Sequence, residues 1–169
     1  MADGRLGRFG WKAQIPTVYD FTADALLQEL GLTVDPSYSD FTVTDDGDAH
    51  PDPELGAETP DALAFYLENL AAPLRRIEDP PAVSAGEALF GAAGCADCHT
   101  PELDGVSLYS DLLLHDICPP GVPLVDHEDG ADPGEFRTPP LWGVRDTAPY
   151  LHDGTAPTLR AAIEAGHAQ

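Results

Sequence analysis

The chain has 169 residues, enough for one domain with its own core, and carries 30 acidic against 8 basic residues for a formal net charge of −22. That charge excludes nucleic acid as a partner. No apolar run is long enough to span a bilayer, and Met1-Ala2-Asp3-Gly4 lacks the basic head and apolar stretch of a signal peptide.

Residues 7–14, with Phe9, Trp11 and Lys12, read as a connecting segment. Val18, Phe21, Ala25, Leu26 and Leu30 recur at helical spacing, so a helix is expected over Thr17–Leu30, closed by Gly31. Residues 35–58 are rich in Asp, Pro and Gly and read as loop. Within them Asp45-Asp46-Gly47-Asp48 misses the EF-hand spacing and is expected to be a solvated turn. Thr59-Pro60-Asp61 starts a second helix, with Leu63, Tyr66, Leu67 and Leu70 on one face up to Pro73. A third runs through Val83–Phe90, with Ser84 and Glu87 at capping-box spacing. Ser110–Asp116 is expected to be a short helix, residues 126–135 a second acidic loop, and Thr158–Ala165 a final helix. No alternation of strand type persists, so the expected class is all-α with long Pro/Gly/Asp-rich loops. The acids are spread along the whole chain. That favours a solvated, salt-adapted surface over a patch that steers a basic redox partner.

Cys95-Ala96-Asp97-Cys98-His99 is the attachment motif of a c-type haem. Each thiol can form a thioether to one porphyrin vinyl group, and the adjacent imidazole can reach the iron from the proximal side. Gly91 and Gly94 loosen the chain ahead of this loop. A structural zinc site would need four ligands, and the sequence has no second Cys pair. One covalent haem c is therefore expected, which places the protein in the periplasm or another export compartment. With no leader visible, the sequence is expected to be a piece of a longer exported protein or one given without its leader.

Several segments carry a family resemblance: Tyr109-Ser110-Asp111-Leu112-Leu113-Leu114-His115-Asp116, Phe136-Arg137-Thr138-Pro139-Pro140-Leu141-Trp142-Gly143, and Ala148-Pro149-Tyr150-Leu151-His152-Asp153-Gly154. With Gly7–Gln14 and the haem motif, they resemble the di-haem oxidoreductase family, related to bacterial di-haem cytochrome c peroxidases. The resemblance implies that residues 1–80 are a linker and helical segment from a preceding region. Residues 81–169 would be a cytochrome c-like haem domain lacking its closing C-terminal helix. It further implies an electron-transfer haem fed by a donor protein, with a reactive haem in an upstream domain. Three departures stand out. There is one haem motif, Ile117-Cys118 follows Asp116 where the family has Asp-Met-Gly, and the chain stops at Gln169. The alternative is a stand-alone mono-haem cytochrome that only carries electrons. A metal-bound Cys/His module without haem is a third class.

Apart from Met1 the chain has no methionine, so a His/Met iron pair is unavailable within it. In the family the distal ligand follows the His-Asp-Gly segment by about a dozen residues, which makes His167 the candidate, against the reading of a frayed terminal residue. Of the others, His152 is expected to fix a turn by hydrogen bonding, His115 to line a pocket, and His50 and His127 to be solvated. Arg137 either pairs with a haem propionate or makes a surface ion pair. Trp142 reads as a buried core indole lining the pocket, or as an electron relay between haems. Tyr109 and Tyr150 suit packing or propionate donation, and Cys118 is the odd thiol.

Overall fold

The computed structural model describes residues 4–117, 131–132 and 134–166. The chain divides into two compact units, Met1–Ala71 and Ala72–Gln169.

In the first unit α1 (Val18–Leu30) packs on α2 (Glu58–Glu68). Thr17 caps α1: its Oγ1 accepts the Asp20 N–H at 3.0 Å and donates to the Asp20 carboxylate at 2.7 Å. Gly31, at φ 66°, ends the helix by returning its N–H to the Leu27 carbonyl at 3.0 Å. The buried face is Thr22, Ala23 and Leu26, while Phe21 and Leu30 stay exposed. It is thus rotated from the apolar stripe of the sequence, because Asp20 is drawn inward. Ser39 Oγ donates to its carboxylate at 2.8 Å, and the Arg5 guanidinium lies 3.8 Å away. On α2 the small residues Pro60 and Ala64 are buried, whereas Leu63, Tyr66 and Leu67 are exposed. The 7–14 segment is a packed turn: Phe9 bridges Ile15, and Lys12 and Ile15 are buried.

In the second unit α3 spans Pro80–Ala92. Asp79, not Ser84, caps it by accepting the Ala82 N–H at 3.2 Å, with proline in the first turn where no N–H is needed. Gly94, in the left-handed region at φ 79°, turns the chain into a short 3-10 turn at Cys95–Asp97. The strands β1 (Leu114–Asp116) and β2 (Glu135–Arg137) pair antiparallel, with Leu114 opposite Arg137 and His115 opposite Phe136. α4 covers Leu159–Gly166.

The β1–β2 sheet overturns the all-α assignment. The expected helix at Ser110–Asp116 is absent for a local reason. Ser110 Oγ accepts the Leu112 N–H at 2.9 Å, and Asp111 Oδ1 accepts the Leu113 N–H at 2.9 Å. These side chains compete with helical bonding for the same donors. Tyr109 and Leu112 also take left-handed backbone angles, φ 55° and 60°, which no helix accommodates. The Leu-rich run therefore leaves the turn extended and pairs with Glu135–Arg137. Leu108, Ser110, Phe136, Thr138 and Ala156 form the buried residues beneath this sheet's loops.

Candidate haem-attachment site

The motif is held by its backbone before any side chain is considered. The His99 N–H closes on the Cys95 carbonyl at 2.9 Å, completing the short turn between the thiols. Leaving the motif, the chain runs alongside residues 109–111. The N–H groups of Asp111, Ser110 and Tyr109 donate to the carbonyls of Cys98, Thr100 and Pro101 at 2.9, 3.0 and 3.4 Å. Ser110 anchors this ladder from below. It is fully buried, and its Oγ donates to the Thr138 carbonyl at 2.7 Å. Leu141 and Trp142 tie the next stretch to the same loop. The Leu141 N–H meets Leu108 O at 3.0 Å and the Trp142 indole N–H meets Ser107 O at 2.9 Å.

Around His99 the side chains are arranged by aromatic edges. The Phe90 ring meets the imidazole edge-on at 6.3 Å between centroids and the Tyr109 ring at 5.7 Å. His99 Nδ1 lies 3.0 Å from the Tyr109 carbonyl, which can only accept, so Nδ1 carries the proton and Nε2 the lone pair. The left-handed conformation of Tyr109 aims that carbonyl. The Arg75 guanidinium lies over the Tyr109 ring, 5.6 Å from its centroid, and binds Glu87 at 2.7 Å. Glu87, the expected capping-box acid, is thus an ion-pair partner at the surface.

Cys95 is exposed and Cys98 half-buried, and neither is in a disulfide. Burial, reinforced by the nearby Asp111 and Asp97 carboxylates, pushes the Cys98 thiol pKa up. Cys98 Sγ lies 3.7 Å from His115 Nδ1, and His115 Nε2 lies 2.7 Å from Asp111 Oδ2. Burial works against the Asp111 carboxylate. Bonds from the Leu113 N–H, His115 and Thr138 outweigh it and leave its pKa below the ordinary range. The sequence singled out His115 as a pocket residue but gave no role to Asp111. Both were expected on the Ser110–Asp116 helix, and the contact arises in an extended turn instead.

The other singled-out residues lie as follows. Arg137 sits on β2, and burial lowers its pKa. Trp142 is 39 % exposed, so the buried-indole reading does not hold. His152 stacks on Phe136, 4.4 Å between centroids. The turn it was expected to fix is held by Asp153, which accepts the Thr155 N–H at 3.1 Å and hydroxyl at 2.8 Å. His50 is in an exposed loop of carboxylate-capped turns at Asp45, Asp46 and Asp48. His127, Cys118 and the distal candidate His167 lie outside the described residues.

The donor set fits a c-type haem: two thiols on one tight turn and an imidazole whose ring orientation and tautomer are fixed by a backbone carbonyl. The helix leading into the motif buries none of its residues, with Leu89 69 % exposed, so it offers apolar surface for a porphyrin face.

Comparison with known proteins agrees with this donor chemistry. The chain belongs to the family described as "Di-haem oxidoreductase, putative peroxidase", whose model matches residues 3–168. Among individual proteins, it is 30 % identical over 116 residues to the cytochrome c551 peroxidase of Nitrosomonas europaea, covering 61 % of this chain and 35 % of the peroxidase. It is 32 % identical over 121 residues to the methylamine utilization protein MauG of Methylorubrum extorquens, covering 61 % of this chain and 32 % of that protein. The MauG of Paracoccus denitrificans is 30 % identical over 105 residues, 49 % of this chain and 27 % of the relative. The chain thus spans about a third of the length of the curated relatives it matches. No solved structure matches it. Membership in a di-haem family implies haem as the cofactor. No described helix is long and apolar enough to cross a membrane.

Proposed function

We propose that this chain is the electron-transfer haem part of an exported, peroxidase-like di-haem oxidoreductase, receiving electrons from a donor protein for a second haem upstream. The observation that carries this reading is the His99 imidazole, held by the Tyr109 carbonyl at 3.0 Å beside the two thiols of the same turn. A bound haem supplies a one-electron couple. Cys95 and Cys98 would anchor it, and His99 would ligate its iron through Nε2. The Tyr109 carbonyl keeps the proton on Nδ1 and strengthens Nε2 as a donor. Phe90 limits rotation of the imidazole, and Arg75 holds a positive charge over the Tyr109 ring. Arg137 would serve as a propionate partner, its planar guanidinium offering a carboxylate two parallel donors. His167, the candidate from the sequence, would be the second iron ligand in this reading, so that this haem would pass electrons rather than bind peroxide.

The test is to express the chain with an export leader and haem-attachment machinery, then record its absorption spectrum before and after adding peroxide. A low-spin spectrum that peroxide leaves unchanged is expected, and His167→Ala converts it to a high-spin one. A high-spin, peroxide-reactive spectrum from the unaltered chain overturns the electron-transfer assignment. Absence of covalent haem overturns the attachment site itself.

A further inference from the structure

Cys98, His115 and Asp111 form a thiol–imidazole–carboxylate chain that the electron-transfer reading leaves unused. Their ligating atoms lie within 4.8 Å of one another, which first suggests a metal site. The hydrogen-bond geometry argues against one. Cys98 Sγ faces Nδ1 at 3.7 Å, whereas Asp111 Oδ2 faces Nε2 at 2.7 Å. Sulfur and carboxylate therefore meet opposite nitrogens of one ring, and the imidazole cannot share a single ion with both. The same geometry suits a relay. A carboxylate only accepts, so Nε2 bears the proton and Nδ1 holds the lone pair that faces the thiol. Three bonds fix the carboxylate side. Asp111 Oδ1 accepts the Leu113 N–H at 2.9 Å, Oδ2 accepts from His115, and the Asp111 N–H binds Cys98 O at 2.9 Å. The loop that orients His115 is thus bonded to the cysteine it faces. β1 fixes the backbone that carries the imidazole, since His115 pairs with Phe136 in the sheet.

We infer that His115, positioned by Asp111, catalyses attachment of the haem vinyl group to Cys98. The inference rests on the haem-attachment reading above and assigns unequal roles to the two cysteines. In the step, the Cys98 S–H adds across a vinyl double bond. A carbon–sulfur bond forms at the vinyl carbon attached to the ring, the S–H bond breaks, and the proton passes by way of His115 Nδ1 to the terminal carbon. Nothing is oxidised or reduced, and nothing leaves. His115 touches the reacting sulfur, so it is the catalytic residue, and Asp111 is a positioning residue acting through it. Cys95 is exposed. None of the described groups gives it a comparable partner, so its bond forms without such help and serves as the internal control.

The exported chain, with His115→Gln and Asp111→Asn variants, would be matured with haem-attachment machinery and sampled over time. The haem-bearing peptide around residues 95–99 would be alkylated and mass-mapped, so that each motif cysteine is scored as thioether or free thiol separately from Cys118. The position of the pyridine haemochrome band gives an independent count of saturated vinyl groups. For His115→Gln, thioether formation at Cys98 is expected to slow by about a hundredfold or more, while that at Cys95 keeps its rate. Asp111→Asn should show a smaller loss confined to Cys98. Equal rates at Cys98 in all three chains overturn the inference, as does parallel loss at both cysteines, which a merely structural role produces. Unaltered chain without covalent haem instead overturns the attachment reading on which the inference rests.

Discussion

Replacing Ser110 by alanine tests the idea that the attachment loop is held from beneath by one buried hydroxyl. Ser110 is fully buried, donates to Thr138 O at 2.7 Å and accepts the Leu112 N–H at 2.9 Å. Alanine fits the space and removes both bonds. The carbonyl of the buried Thr138 then loses a donor, at a cost of about 1–3 kcal/mol, and the Leu112 bond adds roughly 1 kcal/mol. A net loss of about 2–4 kcal/mol corresponds to roughly a 30- to 700-fold rise in local opening. Peptide-resolved hydrogen exchange over residues 107–116 reads this directly, with α1 in the first unit as the unaffected reference. Exchange within about threefold of the unaltered chain would refute the reasoning, because an unmade bond at a dry site must cost more than that.

The other expectations are local. Asp79→Ala should destabilise α3 by about 0.5–2 kcal/mol through loss of its cap, read as faster exchange in residues 80–92 with β1 unchanged. Thr33 donates through its hydroxyl and backbone N–H to Glu54, and these bonds hold the Glu54 pKa below its ordinary value. A depressed carboxylate pKa contributes stability that is present above the unfolded value of about 4.3 and lost as pH falls through the folded value. Thr33→Val should therefore weaken the acid dependence of first-unit unfolding and raise the Glu54 pKa in a carboxyl NMR titration. An unchanged titration would show that the bond does not set that pKa. His152→Ala should expose the Phe136 ring and destabilise β2 by about 1 kcal/mol, measured by denaturant midpoint at constant slope.

The attachment turn was readable in the sequence because covalent chemistry fixes its spacing: two thiols and an imidazole in five residues have few other uses. α1 was readable because its stop lies in one residue, Gly31. Which face α1 buries was not, since Asp20 enters the interior only because Ser39 and Arg5 meet it there. The sheet escaped for a similar reason. Leu112, Leu113 and Leu114 have helical propensity, and the bonds that override it come from the adjacent Ser110 and Asp111 side chains, with the pairing strand some twenty residues on. The Cys98–His115–Asp111 contact was hidden with it, because only the extended turn brings residue 115 back to residue 98. Trp142 likewise read as core from its size, yet its indole N–H is satisfied by a loop carbonyl near the surface.

The stretch 72–79 is exposed along its whole length, yet it is tied to the rest of its unit by ions. Arg75 binds Glu87 at 2.7 Å, Arg76 lies 3.7 Å from Asp146, and Glu78 meets Arg145 at 3.1 Å. These ties use three of the protein's eight basic residues, set against a net charge of −22. Salt consequently acts on the molecule in two opposed senses. It relieves the mutual repulsion of the acidic surface as a whole, and it screens the few attractions that fasten this ribbon. Raising ionic strength should make the folded units harder to unfold and, at the same time, make the Arg75–Arg76 pair easier for trypsin to reach.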